Sequence, residues 1–273
     1  MFDEGAGPCG IKTRSFDEGT DEDMLSVIYY NVHSLICFEE RMDRILQELG
    51  KRHWDVLVFS ETWREEDSEA WTTSHGHTWF GTGGNKGQRG IGFLLHHRWK
   101  HESFRAISSR AAFLDVRIRS VRYRIFGLYF PHALMPDDEV EAVYASIESD
   151  VGSARKKGYS TIIAGDFNAE IGHRRPEDDP DIIGENQMPH RSERGELLLQ
   201  WCEYKKFVIS NSYGCGDWNM SWTFKNGGLK KQLDYILLAR KLFKLRVSCQ
   251  VLECLDIGSD HRALMLCLRQ RPV

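Results

Sequence analysis

A chain of 273 residues with 41% hydrophobic and 11% aromatic content can bury a large core, as one large domain or two small ones. Its net charge of −4 is uneven: residues 1–23 hold seven acids and two bases, which leaves the remainder at +1. Nothing approaches the roughly 18 apolar residues of a membrane span, no secretory signal opens the chain, and seven cysteines without Cys-x-x-Cys argue against a disulfide framework or zinc ribbon. A soluble, intracellular protein is expected.

Residues 1–23 are acidic and Gly-rich, with Phe-Asp-Glu-Gly occurring twice, and read as a disordered tail or linker ahead of one domain over 24–273. Strands are expected at 25–31 and 54–60, separated by a helix in "FEERMDRILQELG" whose Met42, Ile45, Leu46 and Leu49 share a face. The segment "GTGGNKGQRG" (81–90) fits neither phosphate-loop template and reads as a loop in which Lys86 and Arg89 can touch phosphate. Strands follow at 90–96, 112–119 and 121–130, the last two as an antiparallel hairpin about Ser120. A helix in "MPDDEVEAVYASIESDVGSARKKG" is acidic at its entry and basic at its end, as the helix dipole prefers. Then come a strand at 159–165 and a helix from Ser192 with Leu197, Leu198, Trp201 and Tyr204 inward. Strands at 207–211, 233–238, 245–252 and 262–268 close the pattern, which indicates a layered α/β or α+β fold.

Two stretches are basic. Eight Lys/Arg face two acids between Arg98 and Arg124, and seven face Asp234 alone between Lys225 and Arg246. Either can track a phosphate backbone or form solvated faces of hairpins and a helix.

Several apolar runs end in polar groups. "YSTIIAGDFNAEIG" reaches Asp166 and Asn168, which point the same way if the strand continues past Gly165. Asn31, Glu61 and Tyr129 end other runs, Asp234 opens "DYILL", and Asp260 and His261 precede the last strand. Each alone reads as a cap or turn former; together, at strand ends on one edge of a layered sheet, they make a candidate site. The inventory suits phosphodiester hydrolysis with a hard divalent cation, for which Glu61 with Asn31 or Asp260 suffices as Mg2+ ligands. His261 beside Asp234 gives an imidazole of fixed tautomer and raised pKa. Asp166 can orient or deprotonate water, Asn168 can hold a phosphate oxygen without repelling it, and Tyr129 can donate to one.

In order along the chain, "YYNVHSL", "SETW", "RGIGFLL", "LYFPHA", "GDFNAEIG", "SWTF", "QLDYILL" and "GSDHRAL" resemble the endonuclease/exonuclease/phosphatase superfamily. That resemblance implies a four-layered α/β sandwich of DNase I-like type, two packed mixed β-sheets flanked by helices. It implies Asn31 and Glu61 at a Mg2+ ion (Mn2+ can substitute), Asp260 near it, Tyr129 at the phosphate, Asp166 and Asn168 around the attacking water, and Asp234 orienting His261. It leaves the general base open between Asp166 and His261.

Within the superfamily, "GTGGNKGQRGIGFLL", "RSERGELLLQWCEYKKFVISNS" and "MSWTFKNGGLKKQLDYILL" are most similar to endonuclease domains of non-LTR retrotransposons. The implied activity is nicking of double-stranded DNA to prime reverse transcription, leaving 3′-hydroxyl and 5′-phosphate ends. The implied setting is a nuclear monomer, cut from or joined to a parent polypeptide with a reverse transcriptase domain. Thr223, Lys225, Lys230 and Lys231 are expected DNA contacts beside Lys86 and Arg89, with Arg117, Arg119, Arg122 and Arg124 adding charge and Trp218 able to insert. Apurinic repair endonucleases carry Trp where this chain has Lys231, Asp at His33 and often Asn at His132. An apurinic-type endonuclease, another superfamily phosphodiesterase or phosphatase, and a catalytically silent DNA- or partner-binding copy are the alternatives.

Overall fold

The computed structural model describes residues 23–270, apart from 51, 85–87, 215–216, 254 and 256. The expected acidic tail, save Asp23, and Lys86 therefore lie outside the described residues. From β1 (Met24–Asn31) the chain passes through α1 (Phe38–Leu49) to β2 (Val56–Ser60), β3 (Glu69–Thr72), β4 (Thr78–Thr82) and β5 (Ile91–Leu95). β6 (Lys100–Ser108), β7 (Ala111–Ile118) and β8 (Val121–Tyr129) precede α2 (Asp137–Lys156) and β9 (Ser160–Asp166). There follow α3 (Glu193–Lys205), β10 (Phe207–Ile209), a hairpin of β11 (Phe224–Asn226) and β12 (Leu229–Lys231), and β13 (Asp234–Ala239). α4 (Arg240–Phe243), β14 (Arg246–Val251) and β15 (Leu264–Arg269) come last.

One sheet has the order β14-β15-β1-β2-β5-β4-β3 and the other β10-β13-β9-β8-β7-β6. Both are mixed: β1 runs parallel to β2 and antiparallel to β15, and β8 parallel to β9 and antiparallel to β7. Their inner faces meet through Val27, Tyr29, Val58 and Phe93 on one side and Leu114, Ile125, Ile162 and Ile236 on the other. Gly127 sits where the sheets come close, since a Cβ there would lie 2.6 Å from Ile91 and 3.0 Å from Val58. α1 covers the outer face of the first sheet with Met42, Ile45 and Leu49. α2 and α3 cover the second with Val143, Ile147, Leu198 and Cys202. The layers are helix, sheet, sheet, helix, the expected four-layered α/β sandwich. β9 is buried along its length between these layers, which explains its unbroken apolar run.

The structure adds β3, β4, β6 and the short hairpin strands β11 and β12 to the strands expected. β3 and β6 lie at sheet edges, where polar side chains are retained and the apolar alternation is faint. α3 starts as expected, with Ser192 Oγ accepting from the Gly195 amide at 3.1 Å. Its inward face differs: Gly195, Leu198, Leu199 and Cys202 are buried, Leu197 and Trp201 are partly covered, and Tyr204 is exposed. Gly195 sets this phase, because a Cβ at that position would overlap the Glu170 carbonyl oxygen.

The first basic stretch turns inward on itself. Arg98 pairs with Asp55, Arg105 with Asp150, Arg110 with Glu139, Arg117 and Arg122 with Glu102, and Arg119 with Asp23. Arg124 grips Asp115 through two buried 2.7 Å bonds. Arg124 is buried in that pair and cannot reach a phosphate backbone, whereas the ion-paired Arg117, Arg119 and Arg122 keep partly exposed side chains. No helix among the described residues is long and apolar enough to cross a membrane.

If Gly195 fixes the seat of α3, Gly195→Ala lowers unfolding stability by about 1–3 kcal/mol through overpacking. Denaturant unfolding checks this as a lower midpoint at unchanged slope; an unshifted midpoint refutes it.

Candidate active site

Strand register gathers the polar groups at one edge of both sheets. Asn31 ends β1 opposite Ser60, and Glu61 follows Ser60. Tyr129 and Asp166 are partners at the ends of β8 and β9, and Asp234, the first residue of β13, is the partner of Asp166 on its other side. His261 precedes β15 and is tied to the β11–β12 hairpin by a bridge to Phe224.

The Asn31 carboxamide lies at the centre. Its Nδ2 donates to Glu61 Oε1 (2.8 Å) and Asp166 Oδ2 (3.1 Å) and is 3.4 Å from His261 Nε2. His261 Nδ1 lies 2.8 Å from Asp234 Oδ2, and its Nε2 lies 3.8 Å from Asp166 Oδ2. Tyr129 bonds through its side chain to Glu61, with the Arg110 guanidinium 5.3 Å from its ring. Asn31, Asp166, Asp234 and His261 are all buried.

Asn168 reaches this group by a different route from the one expected. β9 stops at Asp166 and Asn168 adopts a left-handed backbone (φ 46), so strand alternation does not carry to it. Its amide donates to Asp166 Oδ1 at 2.9 Å, closing an Asx turn, and its Nδ2 donates to the Phe130 carbonyl at 2.9 Å. Phe167 turns away and stacks on Phe130 at 5.0 Å. Glu61 is also left-handed (φ 53), a conformation uncommon outside glycine, and here it sets the carboxylate against Asn31.

Burial and the charge of Asp234 raise the Asp166 carboxyl to about 8. Burial alone would lower His261, but the charge and hydrogen bond of Asp234 outweigh it and raise the imidazole to about 10, with Asp166 and Asp260 adding to the effect. Burial, then the Glu61 and Asp166 charges, push the Tyr129 hydroxyl up, so it stays a donor. Asp234 is fully buried, and its Oδ1 has no partner among the described residues. A carboxylate so placed relies on the imidazolium beside it.

Three positioning residues escape or mislead a reading of the sequence. Thr223, an expected DNA contact, is fully buried, and its Oγ1 accepts from the amides of Leu233 (3.0 Å) and Asp234 (3.1 Å). It anchors the start of β13 and cannot reach a ligand. Asn211 clasps the same strand, donating to the Asp234 carbonyl and accepting from the Ile236 amide, each at 3.1 Å. Ser259 donates to the Asn31 carbonyl (2.6 Å) and accepts from the His261 amide (3.1 Å), joining the His261 loop to β1. Its signal is the Ser two residues before His261 in "GSDHRAL".

The remaining expected contacts are scattered around the rim. Asp260 turns outward, with its Oδ1 3.3 Å from His33 Nδ1, and the His33 ring meets Trp63 edge-on at 4.9 Å. Arg89 lines a cleft of about 270 Å³ with Glu61, Arg110, Tyr129 and His132. Lys225 is exposed, the Lys230 ammonium lies 5.1 Å from the Trp222 ring, and Lys231 pairs with Glu170 at 2.6 Å. Trp218 packs against His173 at 5.5 Å.

Among the described residues, Glu61, Asp166 and His261 offer ligand atoms within 4.8 Å of one another. Carboxylate oxygens are hard donors that fit Mg2+ or Mn2+, and so few protein ligands leave positions for water and substrate. This set differs from the expected one: Glu61 is common to both with Asn31 beside it, Asp166 and His261 join, and Asp260 faces His33 instead.

Two outcomes follow from this geometry. Thr223→Val removes the acceptor for two buried amides and is expected to cost about 1–3 kcal/mol, read by denaturant unfolding, with the His261 ring resonances shifted in NMR. Because the folded-state pKa of His261 is raised from 6.5 to about 10, its pairing contributes fully below 6.5 and is lost as pH rises through about 10. The metal-free melting-temperature gap between wild type and His261→Gln is therefore widest near the lower value and narrows towards the upper one; a gap independent of pH refutes the charged pair.

Craniofacial development protein 2 of Bos taurus is 23% identical over 235 residues, which cover 82% of this chain and 38% of that protein. Its counterpart in Tragulus javanicus is 22% identical over 235 residues, 39% of its length, so the chain spans about two fifths of these curated relatives. The endonuclease domain of TRAS1, a telomere-specific non-LTR retrotransposon, aligns with a TM-score of 0.63 at 15% identity, over 91% of this chain and 100% of that one. The Xenopus laevis APE2 catalytic domain gives 0.66 at 13% identity, over 91% and 94%. The 3′-5′ exonuclease NExo of Neisseria meningitidis gives 0.65 at 17% identity, over 90% and 100%. At such identities these structures share the fold alone. A model of the Endonuclease/Exonuclease/phosphatase family matches residues 28–261, from within β1 to His261, and the chain belongs to that family of hydrolytic nucleases and phosphatases.

Proposed function

We propose that this chain is a divalent-metal-dependent endonuclease that nicks double-stranded DNA by hydrolysing a phosphodiester. The observation that carries this reading is the buried Asp234–His261 pair, 2.8 Å apart, with His261 Nε2 directed towards the Asn31–Glu61–Asp166 group. Glu61 and Asp166, with Asn31 beside them, would hold Mg2+ or Mn2+, which when bound neutralises charge on the phosphate and on the leaving oxygen. Asp234 keeps His261 cationic, so the imidazolium offers an Nε2–H to a phosphate oxygen and has no lone pair to accept a proton from water. Asp166, whose rotamer the Asn168 amide fixes, is placed to take that proton. Tyr129, kept protonated, can donate to a second phosphate oxygen.

Basic groups flank this edge. Arg89 lines the cleft on one side, and Lys225 and Lys230 stand on the hairpin tied to His261 on the other. Lys231, ion-paired to Glu170, occupies the position where apurinic repair endonucleases place the Trp of an abasic-sugar pocket, which favours nicking of intact DNA. The resemblance of "GTGGNKGQRGIGFLL" and "MSWTFKNGGLKKQLDYILL" to endonuclease domains of non-LTR retrotransposons supports target-site nicking for reverse transcription. A nuclear setting and a reverse transcriptase in the parent polypeptide belong to the same reading.

The test is conversion of supercoiled plasmid to nicked circles with Mg2+, with EDTA and His261→Ala as controls. Nicking is expected to require the metal and to fall at least about 10²-fold in the variant. Metal-dependent nicking that persists there overturns the residue assignment. No nicking by folded wild-type protein shifts the reading to a small-phosphoester hydrolase or a silent binding copy. Replacing Lys225 and Lys230 with Ala is expected to weaken DNA binding on all sequences and to reduce the salt dependence by about one released ion for each lysine replaced.

A further inference from the structure

At the end of the first sheet remote from Glu61, three imidazoles meet. β2 and β5 run antiparallel, with Ser60 opposite Ile91 at the catalytic end and Val56 opposite Leu95 at the other. His96 and His97 follow β5 at that far end, and His77 precedes β4, whose first residue pairs with Leu95. One ring nitrogen from each of the three lies within 4.8 Å of the others. Ring centroids are 4.7 Å apart for His77 and His96, 5.1 Å for His77 and His97, and 4.3 Å for His96 and His97.

We infer that His77, His96 and His97 form a binding site for a transition-metal ion of the Zn2+ class. Imidazole nitrogen is a borderline donor that selects Zn2+, Cu2+ or Ni2+ and takes Mg2+ poorly, so this site and the oxygen-rich catalytic edge sort different metals. Three histidines with a fourth position left to water are a recurrent tetrahedral set for Zn2+. The surroundings suit the role. Trp54 packs edge-on against His77 (4.8 Å) and His96 (4.7 Å), holding two rings in place, while exposed His97 can turn out of its stack to close on an ion. The neighbouring guanidinium, Arg98, is occupied by Asp55 and the Trp54 carbonyl.

The His97 and Arg98 amides donate to Nδ1 of His77 (3.1 Å) and His96 (3.3 Å). An ion at either ring nitrogen displaces these contacts, because a ring proton moved to Nδ1 would face a donating amide, and their loss is small beside metal–nitrogen bonding.

The experiment is calorimetric titration of EDTA-stripped protein with Zn2+ in excess Mg2+, for wild type, His97→Gln, His96→Gln and Glu61→Gln, with Zn2+-induced melting shifts alongside. One equivalent is expected to bind wild type and Glu61→Gln alike, to weaken at least tenfold in His97→Gln and His96→Gln, and to raise the melting temperature only where it binds. His97 is exposed, so its replacement leaves the fold and plasmid nicking unchanged. Undiminished Zn2+ binding in His97→Gln, or uptake abolished in Glu61→Gln instead, overturns the site.

Discussion

Two carboxylates, Asp166 and Asp234, stand in register on neighbouring strands at the buried rim of the second sheet, and the surrounding groups make that juxtaposition tolerable. Like charges at such a distance in a poorly solvated place repel strongly. His261 answers one carboxylate with a cation, and Asn31 and the Asn168 amide answer the other with hydrogen-bond donors. What is left over is a residual demand for positive charge next to Glu61. A divalent cation and a protonated imidazole are the two ways such a demand is met, and a phosphodiester is a substrate on which both are useful.

The same demand explains why the supporting residues are so closely fitted. Thr223 and Asn211 hold β13 by its backbone, so Asp234 cannot swing away from its neighbour. Ser259 fixes the His261 loop to the end of β1, making the imidazole and Asn31 move as one piece. Removing any of these leaves the charges present but lets them separate.

Much of this is legible in the order of residues. The central strands announce themselves because β1, β2, β9 and β13 are covered on both faces, and the polar groups at their ends stand out against the apolar runs. Edge strands β3 and β6 carry weaker patterns and escape notice. The α3 face is misjudged from periodicity because apolar residues surround that helix and a glycine contact decides its rotation. Lysine and arginine counts suggest two phosphate tracks, but composition does not show which cation already has an acid across the sheet; the Arg98 to Arg124 stretch does. Thr223 looks like a DNA contact because it lies in a polar, basic segment, and only the path of the hairpin shows its hydroxyl folded inward.

The candidate site is split between the two halves of the sandwich. Asn31, Glu61 and His261 ride on the first sheet, and Tyr129, Asp166 and Asp234 on the second. Near that edge the spacing between halves is set by Gly127 lying against Ile91 and Val58. A sub-ångström slip of one sheet over the other would leave the apolar core intact and most of its free energy in place, yet pull Asn31 away from Asp166. Alignment of the candidate-site groups thus works as a strain gauge for the intersheet seam, and heat or pressure that loosens the seam would misalign them while the chain is still folded.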